Sequence, residues 1–289
     1  MVFRRHLFNK VVILGTGMIG GSVALAMKKA GLAAKIVGVS RQEVSLRTAI
    51  TMGVIDEADQ DVKKAIQNAD CVILAAPVKV ILENIEDICK HLRRNCIVTD
   101  VGSTKLAIVE AAEKLFPPHV LFVGSHPMAG SEKSGVSHAN GELFKGAICV
   151  MTPTDKTNKL AKEKVKHLWT AIGMDVKSLT PAQHDEAMSF VSHLPHLMAF
   201  GLMRVIADEN LGYAGAGLRD TTRLAGSSAK MWTDICLSNY RHVLKALDES
   251  VKSLSEIRKA IVDKDETALA QYFTQAKAKR DLLEKKSHA

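Results

Sequence analysis

Over the first 180 residues, short apolar runs alternate with helix-length stretches. The runs lie at 11–14, 35–39, 71–75, 96–101, 120–124 and 147–151, bounded by Gly, Pro or Asp. Runs of this kind predict the strands of a mostly parallel sheet joined by crossover helices. Between the first two, Val23, Ala26, Met27 and Ala30 recur at helical spacing. A run at 174–179 adds a further candidate strand. At Thr180 the pattern changes. Thr180-Pro181-Ala182-Gln183 has the form of a capping box with Pro at the first helical position. Strand-like runs nearly vanish beyond it. Val243, Leu244, Leu247, Val251, Leu254 and Ile257 predict an amphipathic helix. Asp263 to Glu266 offers a second cap, and Leu269, Tyr272 and Phe273 continue a helical face.

Gly15-Thr16-Gly17-Met18-Ile19-Gly20 follows the first strand directly and opens a helix. In that context G-x-G-x-x-G is a dinucleotide loop. Gly15 permits the tight turn, Gly17 lets the backbone approach a pyrophosphate, and Gly20 lets helix and strand pack. The helix N-terminus then offers N–H groups and partial positive charge to the phosphates. Ala76 and Pro77, just past the third run, complete the candidate cofactor set. The fold expected is an α/β Rossmann-type dinucleotide-binding domain over 1–179, then an all-α C-terminal domain over 180–289. A helical domain of that size often leaves an apolar face uncovered, so a homodimer formed through it is expected.

Where the second strand ends, an NAD site would place a carboxylate about 20 residues beyond the glycines. This chain has Ser40 and Arg41 there. A hydroxyl and a guanidinium suit a 2′-phosphate, so NADP is favoured over NAD; the alternative is that Arg41 stacks on adenine or faces solvent.

Gly124-Ser125-His126-Pro127-Met128-Ala129-Gly130 leaves the carboxyl end of a strand, where open parallel sheets bind ligands. His126, expected in that loop, is the candidate acid/base beside a nicotinamide. Ser103, leaving the preceding strand in 100–105, either orients His126 or holds the nicotinamide amide. Asp185, Ser189, Ser192 and His196 share one helix face. That stripe lines a wet cleft or faces solvent, and Pro195 should kink or reset the helix. Arg219 and Arg223 are forks suited to a carboxylate, or members of surface ion pairs.

Composition narrows the partners. Lys and Arg number 39 against 31 Asp and Glu, a net charge of +8, which admits nucleic acid, an anionic membrane or small polyanions. No nucleic-acid motif appears, and no apolar run approaches a membrane span. Cys71, Cys89, Cys96, Cys149 and Cys236 are scattered, which suits reduced thiols in a cytoplasmic protein and neither a disulfide framework nor a metal site. Part of the excess charge sits at the ends, in Arg4, Arg5 and Lys10, then Lys277, Lys279, Arg280, Lys285 and Lys286.

Five stretches in this order, 11–21, 100–105, 126–135, Ser192-His193-Leu194-Pro195-His196, and 219–223 followed by Trp232, resemble the prephenate/arogenate (cyclohexadienyl) dehydrogenase family of tyrosine biosynthesis. The resemblance covers about 11 to 285. It implies oxidative decarboxylation of a cyclohexadienol, with hydride passing to NAD(P). It assigns His126 to the 4-hydroxyl, Ser103 to its support, and Arg223, with Arg219 nearby, to the ring carboxylate. Ser192 and His196 would meet the substrate side chain, Trp232 would shape the pocket, and Glu132 and Asp185 would gate or shape the cleft. Activity should fall at acid pH as His126 becomes protonated. Fused mutase or regulatory domains are not expected in 289 residues, so feedback by tyrosine would act at the active site. Prephenate and arogenate are not separated. A β-hydroxyacid-type dehydrogenase would want a lysine in 180–204, where there is none. A silent NADP-binding sensor or scaffold need not keep these side chains together.

Overall fold

The structure, a computed structural model, describes residues 6–130 and 133–287. It divides into two compact units, one ending at Tyr240 and one beginning at Arg241.

The first unit is built on an eight-stranded sheet. Its strands are β1 (Phe8–Leu14), β2 (Ala33–Val39), β3 (Glu57–Asp59), β4 (Cys71–Leu74), β5 (Ile97–Asp100), β6 (Leu121–Pro127), β7 (Ile148–Thr152) and β8 (Asp175–Ser178). Their spatial order is β3-β2-β1-β4-β5-β6-β7-β8. All neighbours pair in parallel except β6 and β7. The order reverses between β1 and β4, the switch point at which such sheets bind dinucleotides. Each predicted run is a strand. The polar edge strand β3 carries no apolar signal and was missed.

Alternate residues of each strand feed opposite faces. Val11 and Ile13 pack with α1 (Met18–Lys29), α2 (Glu43–Thr51) and α6 (Lys159–Ala171). Val12 and Leu14 pack with α3 (Val62–Ala65), α4 (Val78–Ile88) and α5 (Leu106–Leu115). Both faces are covered, which is why the strands read as unbroken apolar runs.

One expectation changes here. His126 is not in a loop but inside β6, and it is buried. β6 outruns β5: Thr99 pairs with Val123, and beyond it His126 pairs with Val150 of antiparallel β7. A Cβ at Gly124 would lie 2.4 Å from Thr152 Oγ1, so a side chain there would have to displace the Thr152 side chain of β7.

After β8 the chain is helical: α7 (Pro181–Met188), α8 (Leu194–Val205), α9 (Ala216–Thr222) and α10 (Ala229–Ser238). The change at Thr180 is real in secondary structure, and both bonds of the capping box form there. By compactness these helices belong with the sheet, and the division falls 60 residues later. A π turn, Ser189–His193, resets the helix before Pro195, which sits in the first turn of α8 where its missing N–H costs nothing. The turn buries His193.

The second unit comprises α11 (Tyr240–Val262) from Arg241 onward and α12 (Glu266–Ser287). Asp265, rather than Asp263, caps α12 by accepting from the Ala268 N–H. Lys264 (φ 53°) takes the left-handed turn between the helices. Leu244, Val251, Leu254, Ile261 and Phe273 lie exposed. Of the basic ends, Lys277, Lys279, Arg280 and Lys285 are exposed, while Arg4, Arg5 and the Lys286 side chain lie outside the described residues. No helix among the described residues is long and apolar enough to cross a membrane. All five cysteines are free, and only Cys236 is not fully buried.

Candidate active site

β1 ends in the glycine loop. Gly15 has φ 107°, and a Cβ there would lie 2.2 Å from the Ala75 carbonyl oxygen. A Cβ at Gly20 would lie 2.0 Å from the Gly15 carbonyl oxygen, so helix and strand meet only over glycine. Gly17 has nothing within 4 Å of where its Cβ would be. It is the N-cap of α1, and no side chain caps that terminus. An open glycine under an uncapped helix N-terminus is a cradle that fits a pyrophosphate. Thr16 is buried with its hydroxyl unpartnered, so it packs within the turn.

A cavity of about 420 Å³ opens from this loop. Met18 and Ile19, Ala76 and Pro77, and Ser103 and His126 line it, as do Ser227, Met231 and Ile235 from the helical segment. Ser40 and Arg41 stand apart from it, just beyond β2. The Ser40 hydroxyl accepts from the Gln42 N–H at 3.1 Å. Arg41 is exposed, 3.6 Å from Glu83.

Behind the cavity lies a buried polar network. Asp100, at the end of β5, pairs with the Lys105 ammonium, and both side chains are wholly buried. Asp100 also accepts from the N–H groups of Gly102 (2.9 Å) and Ser125 (3.1 Å). Lys105 Nζ donates to the Ser125 carbonyl at 2.9 Å. The peptide groups just before His126 are thus clamped on both sides.

Among the described residues, His184 is the side chain bonded to His126. His126 Nδ1 lies 2.8 Å from His184 Nε2, while Ser103 lies on the cavity wall. Asp185 differs from expectation. It is buried and takes no part in the cavity lining. It caps α5 by accepting from the N–H groups of Lys105 (2.7 Å) and Leu106 (3.0 Å), and it accepts from His184. Asn239 donates to the Asp185 carbonyl at 2.7 Å and lies 3.3 Å from His193 Nδ1. Glu132 lies outside the described residues.

The other predicted residues form a second group. His196 stacks on Trp232, with centroids 3.7 Å apart, and donates from Nδ1 to the Ser192 carbonyl at 2.9 Å. Arg223 is close enough for its charge to act on His196. Arg219 is exposed on α9. Among the described residues, buried Trp232 Nε1 and His193 Nε2 meet no hydrogen-bond partner. None of Ser192, His196, Arg219, Arg223 and Trp232 lines the 420 Å³ cavity. Within the stripe, Asp185 and Ser189 are buried, and the Ser189 hydroxyl is spent on the Glu186 carbonyl.

The histidines here are held neutral. Burial, then the neighbouring His184, Lys105 and His193, push the His126 imidazole well below its ordinary 6.5. Burial lowers His184 against the opposing bond to Asp185, and takes His193 down to about 4. In the unfolded chain these groups protonate near 6.5, and in the folded protein only at lower pH. The unfolded state therefore binds more protons just below 6.5, and folding stability declines as pH falls from there. We expect each of the three to remove about 1.4 kcal/mol per pH unit at most. Urea unfolding at pH 7, 6 and 5 checks this; equal stability at all three would contradict it.

Sequence reasoning missed His184, Lys105, His193 and Asn239 as parts of the site. The only signal for His184 was a His-Asp dipeptide one turn inside a capped helix, and spacing alone does not say that it reaches β6.

A dinucleotide cradle at the switch point, beside a neutral histidine, defines a dinucleotide-dependent dehydrogenase. Two family models match the chain: prephenate dehydrogenase, nucleotide-binding domain, over 23–178, and prephenate dehydrogenase, dimerization domain, over 180–275. The chain belongs to the prephenate dehydrogenase family, and it is an NAD(P)-linked oxidoreductase. It is 37% identical to the prephenate dehydrogenase of Bacillus subtilis (strain 168), over 95% of this chain and 76% of the relative. The crystal structure of Aquifex aeolicus prephenate dehydrogenase in complex with hydroxyphenyl propionate and NAD+ superposes with a TM-score of 0.89 at 35% identity, covering 95% of this chain and 98% of that one. Synechocystis arogenate dehydrogenase superposes with a TM-score of 0.80 at 31% identity, covering 95% and 99%.

Proposed function

We propose that this protein carries out the oxidative decarboxylation of prephenate, arogenate or both, with His126 as the proton acceptor. The observation that carries this reading is His126 itself: buried, neutral at physiological pH, and on the wall of the cavity that opens from the glycine loop. His126 takes the proton of the 4-hydroxyl, and the O–H pair becomes the C=O bond as hydride leaves C4. The nicotinamide, when bound, supplies the hydride acceptor. CO₂ leaves C1 and its bonding pair enters the ring, which becomes aromatic. The oxygen then regains a proton, giving 4-hydroxyphenylpyruvate or tyrosine.

Gly15, Gly17, Gly20 and the α1 terminus hold the pyrophosphate, and Ser103 flanks the nicotinamide. Arg223, assisted by Arg219, takes the ring carboxylate; Ser192 and His196 meet the side-chain end, and Trp232 shapes it. Asp185 is left out of the substrate contacts because it is buried and already bonded. Turnover with each substrate and each cofactor, followed by the ultraviolet absorbance of the reduced nicotinamide, tests the reading. Cofactor binding without turnover of either substrate would favour a silent sensor instead.

NADP is the preferred cofactor in this reading. No carboxylate stands at the end of β2, and among the described residues the exposed Arg41 has one exposed ion pair, to Glu83 at 3.6 Å, to give up. A guanidinium and a hydroxyl match a 2′-phosphate. We expect a higher kcat/KM with NADP than with NAD, and Arg41→Ala to lower it for NADP by about tenfold while sparing NAD, the loss of one charge-assisted contact. A wild-type preference for NAD would refute this.

The chain 180–289 serves as the substrate and dimerisation region, and the dimer sits in the cytoplasm. The apolar side chains left exposed on the last two helices are what such an interface covers. Sedimentation should show a dimer that Val251→Glu with Leu254→Glu converts to monomer; a wild-type monomer at micromolar concentration would remove the proposal.

A further inference from the structure

The His126 ring rests on two groups that no step above uses. Its Nδ1 lies 2.8 Å from His184 Nε2, and His184 Nδ1 lies 2.8 Å from Asp185 Oδ1. The proton positions along this chain follow from its far end. Burial works to raise the Asp185 carboxyl, but bonds from His184 and the N–H groups of Leu106 and Lys105 outweigh it and hold it below its ordinary value. Asp185 is therefore ionised, and an ionised carboxylate only accepts. So His184 carries its proton on Nδ1. His184 is neutral, because burial outweighs the pull of Asp185, and so its Nε2 is a lone pair. That lone pair can only accept, so His126 donates from Nδ1. A neutral imidazole has one N–H, which leaves His126 Nε2 bare.

We propose that His184, oriented by Asp185, is a positioning residue that keeps the proton of His126 on Nδ1 and its lone pair on Nε2, ready for the substrate hydroxyl. The proposal rests on His126 being the proton acceptor of the function proposed above. When the substrate O–H breaks and the Nε2–H bond forms, the ring becomes a cation. Its Nδ1–H bond to His184 is then charge-assisted and stronger. Asp185 sits one ring away to offset the charge. No proton need move beyond His126, and returning it to the product oxygen restores the starting tautomer.

The other groups whose charges act on this pair are Lys105, Asp100 and His193. Lys105 is neutralised where it stands by Asp100. His193, held down to about 4, carries no charge at neutral pH. Asp185 is thus the uncompensated charge aimed at His184. Among the described residues the bond to His126 Nδ1 comes from His184, and so His184 is what selects the tautomer there.

The test is nitrogen NMR of the intact protein with labelled histidine, His126 being assigned by its absence in His126→Asn. The wild type should show His126 protonated on Nδ1 and bare on Nε2. Protonation on Nε2 would overturn the proposal without any kinetic measurement. His184→Phe, which removes the acceptor, should lower kcat about 10²-fold with KM nearly unchanged. It should also shift the acid limb of kcat/KM, because both the hydrogen bond that His184 offers the His126 cation and the charge it sets against that cation are removed. His184→Gln keeps an acceptor near the Nε2 position and should recover much of kcat and of the limb. Wild-type kcat and limb in His184→Phe would overturn the proposal. So would an equal loss in both variants with the His126 tautomer unchanged, which would assign His184 to packing. The NMR needs no turnover: the expected tautomer in a protein inactive on both substrates would sink the proposed function alone.

Discussion

Replacing His126 by Asn should lower kcat by about 10²–10⁴-fold, the usual cost of removing a general base, with only a modest change in KM. Asn is close in size and keeps a polar group beside His184, so the buried network has a partner to retain. What it lacks is a lone pair basic enough to take the hydroxyl proton while hydride leaves. Without that transfer, positive charge builds on the substrate oxygen in a site whose burial already disfavours cations, as the lowered His126 imidazole shows. Arg223→Ala should give the opposite signature, a raised KM with kcat largely kept. The carboxylate it binds is lost as CO₂, so its grip is uniform binding rather than transition-state stabilisation. Steady-state kinetics of the two variants side by side decide the matter. Near-normal kcat in His126→Asn would remove His126 from the chemistry, and a collapse of kcat in Arg223→Ala would move that arginine into it.

Lys105→Met should cost about 3–5 kcal/mol of folding stability, the range for breaking a buried ion pair from one side. Met fills most of the volume, so packing is nearly conserved and the loss is electrostatic. It leaves the Asp100 carboxylate wholly buried, still accepting from Gly102 and Ser125 but with no countercharge. It also releases the Ser125 carbonyl. A domain of this size loses about 2–4 °C of Tm per kcal/mol, so the melting temperature should fall by about 6–20 °C. Because the clamped peptide immediately precedes His126, kcat should fall as well. A melting temperature within a degree or two of the wild type would show that the pair contributes little.

Much of the fold was legible in the sequence, for a physical reason. Strands buried on both faces must be apolar throughout, so β1, β2 and β4 to β7 announce themselves by composition. β3 does not, because an edge strand of Glu57, Ala58 and Asp59 buries almost nothing. The dinucleotide cradle was equally legible. Gly15 and Gly20 are demanded by contacts of about two ångströms that admit no side chain, so residue type alone betrays the geometry. The capping box at Thr180 is local and formed as read. Asp185 shows where such reading stops. Spacing put it on one helix face with Ser189 and His196, across a π turn that the spacing did not show. Nothing in the spacing said that the face would meet the N-terminus of α5, where two backbone N–H groups and His184 take up its carboxylate.

By itself, then, the sequence determined the strands, the glycine loop, the cap at Thr180 and the residue types available for chemistry. Those depend on local sterics, burial periodicity and hydrogen bonds within a few residues. The tertiary structure alone decided that β6 runs on through His126, that a π turn buries His193, and that His184, 58 positions from His126, supplies its hydrogen bond. Those outcomes depend on which surfaces meet when a sheet and a helix from distant parts of the chain pack together. A buried polar group must then find its partner among whatever side chains that packing delivers.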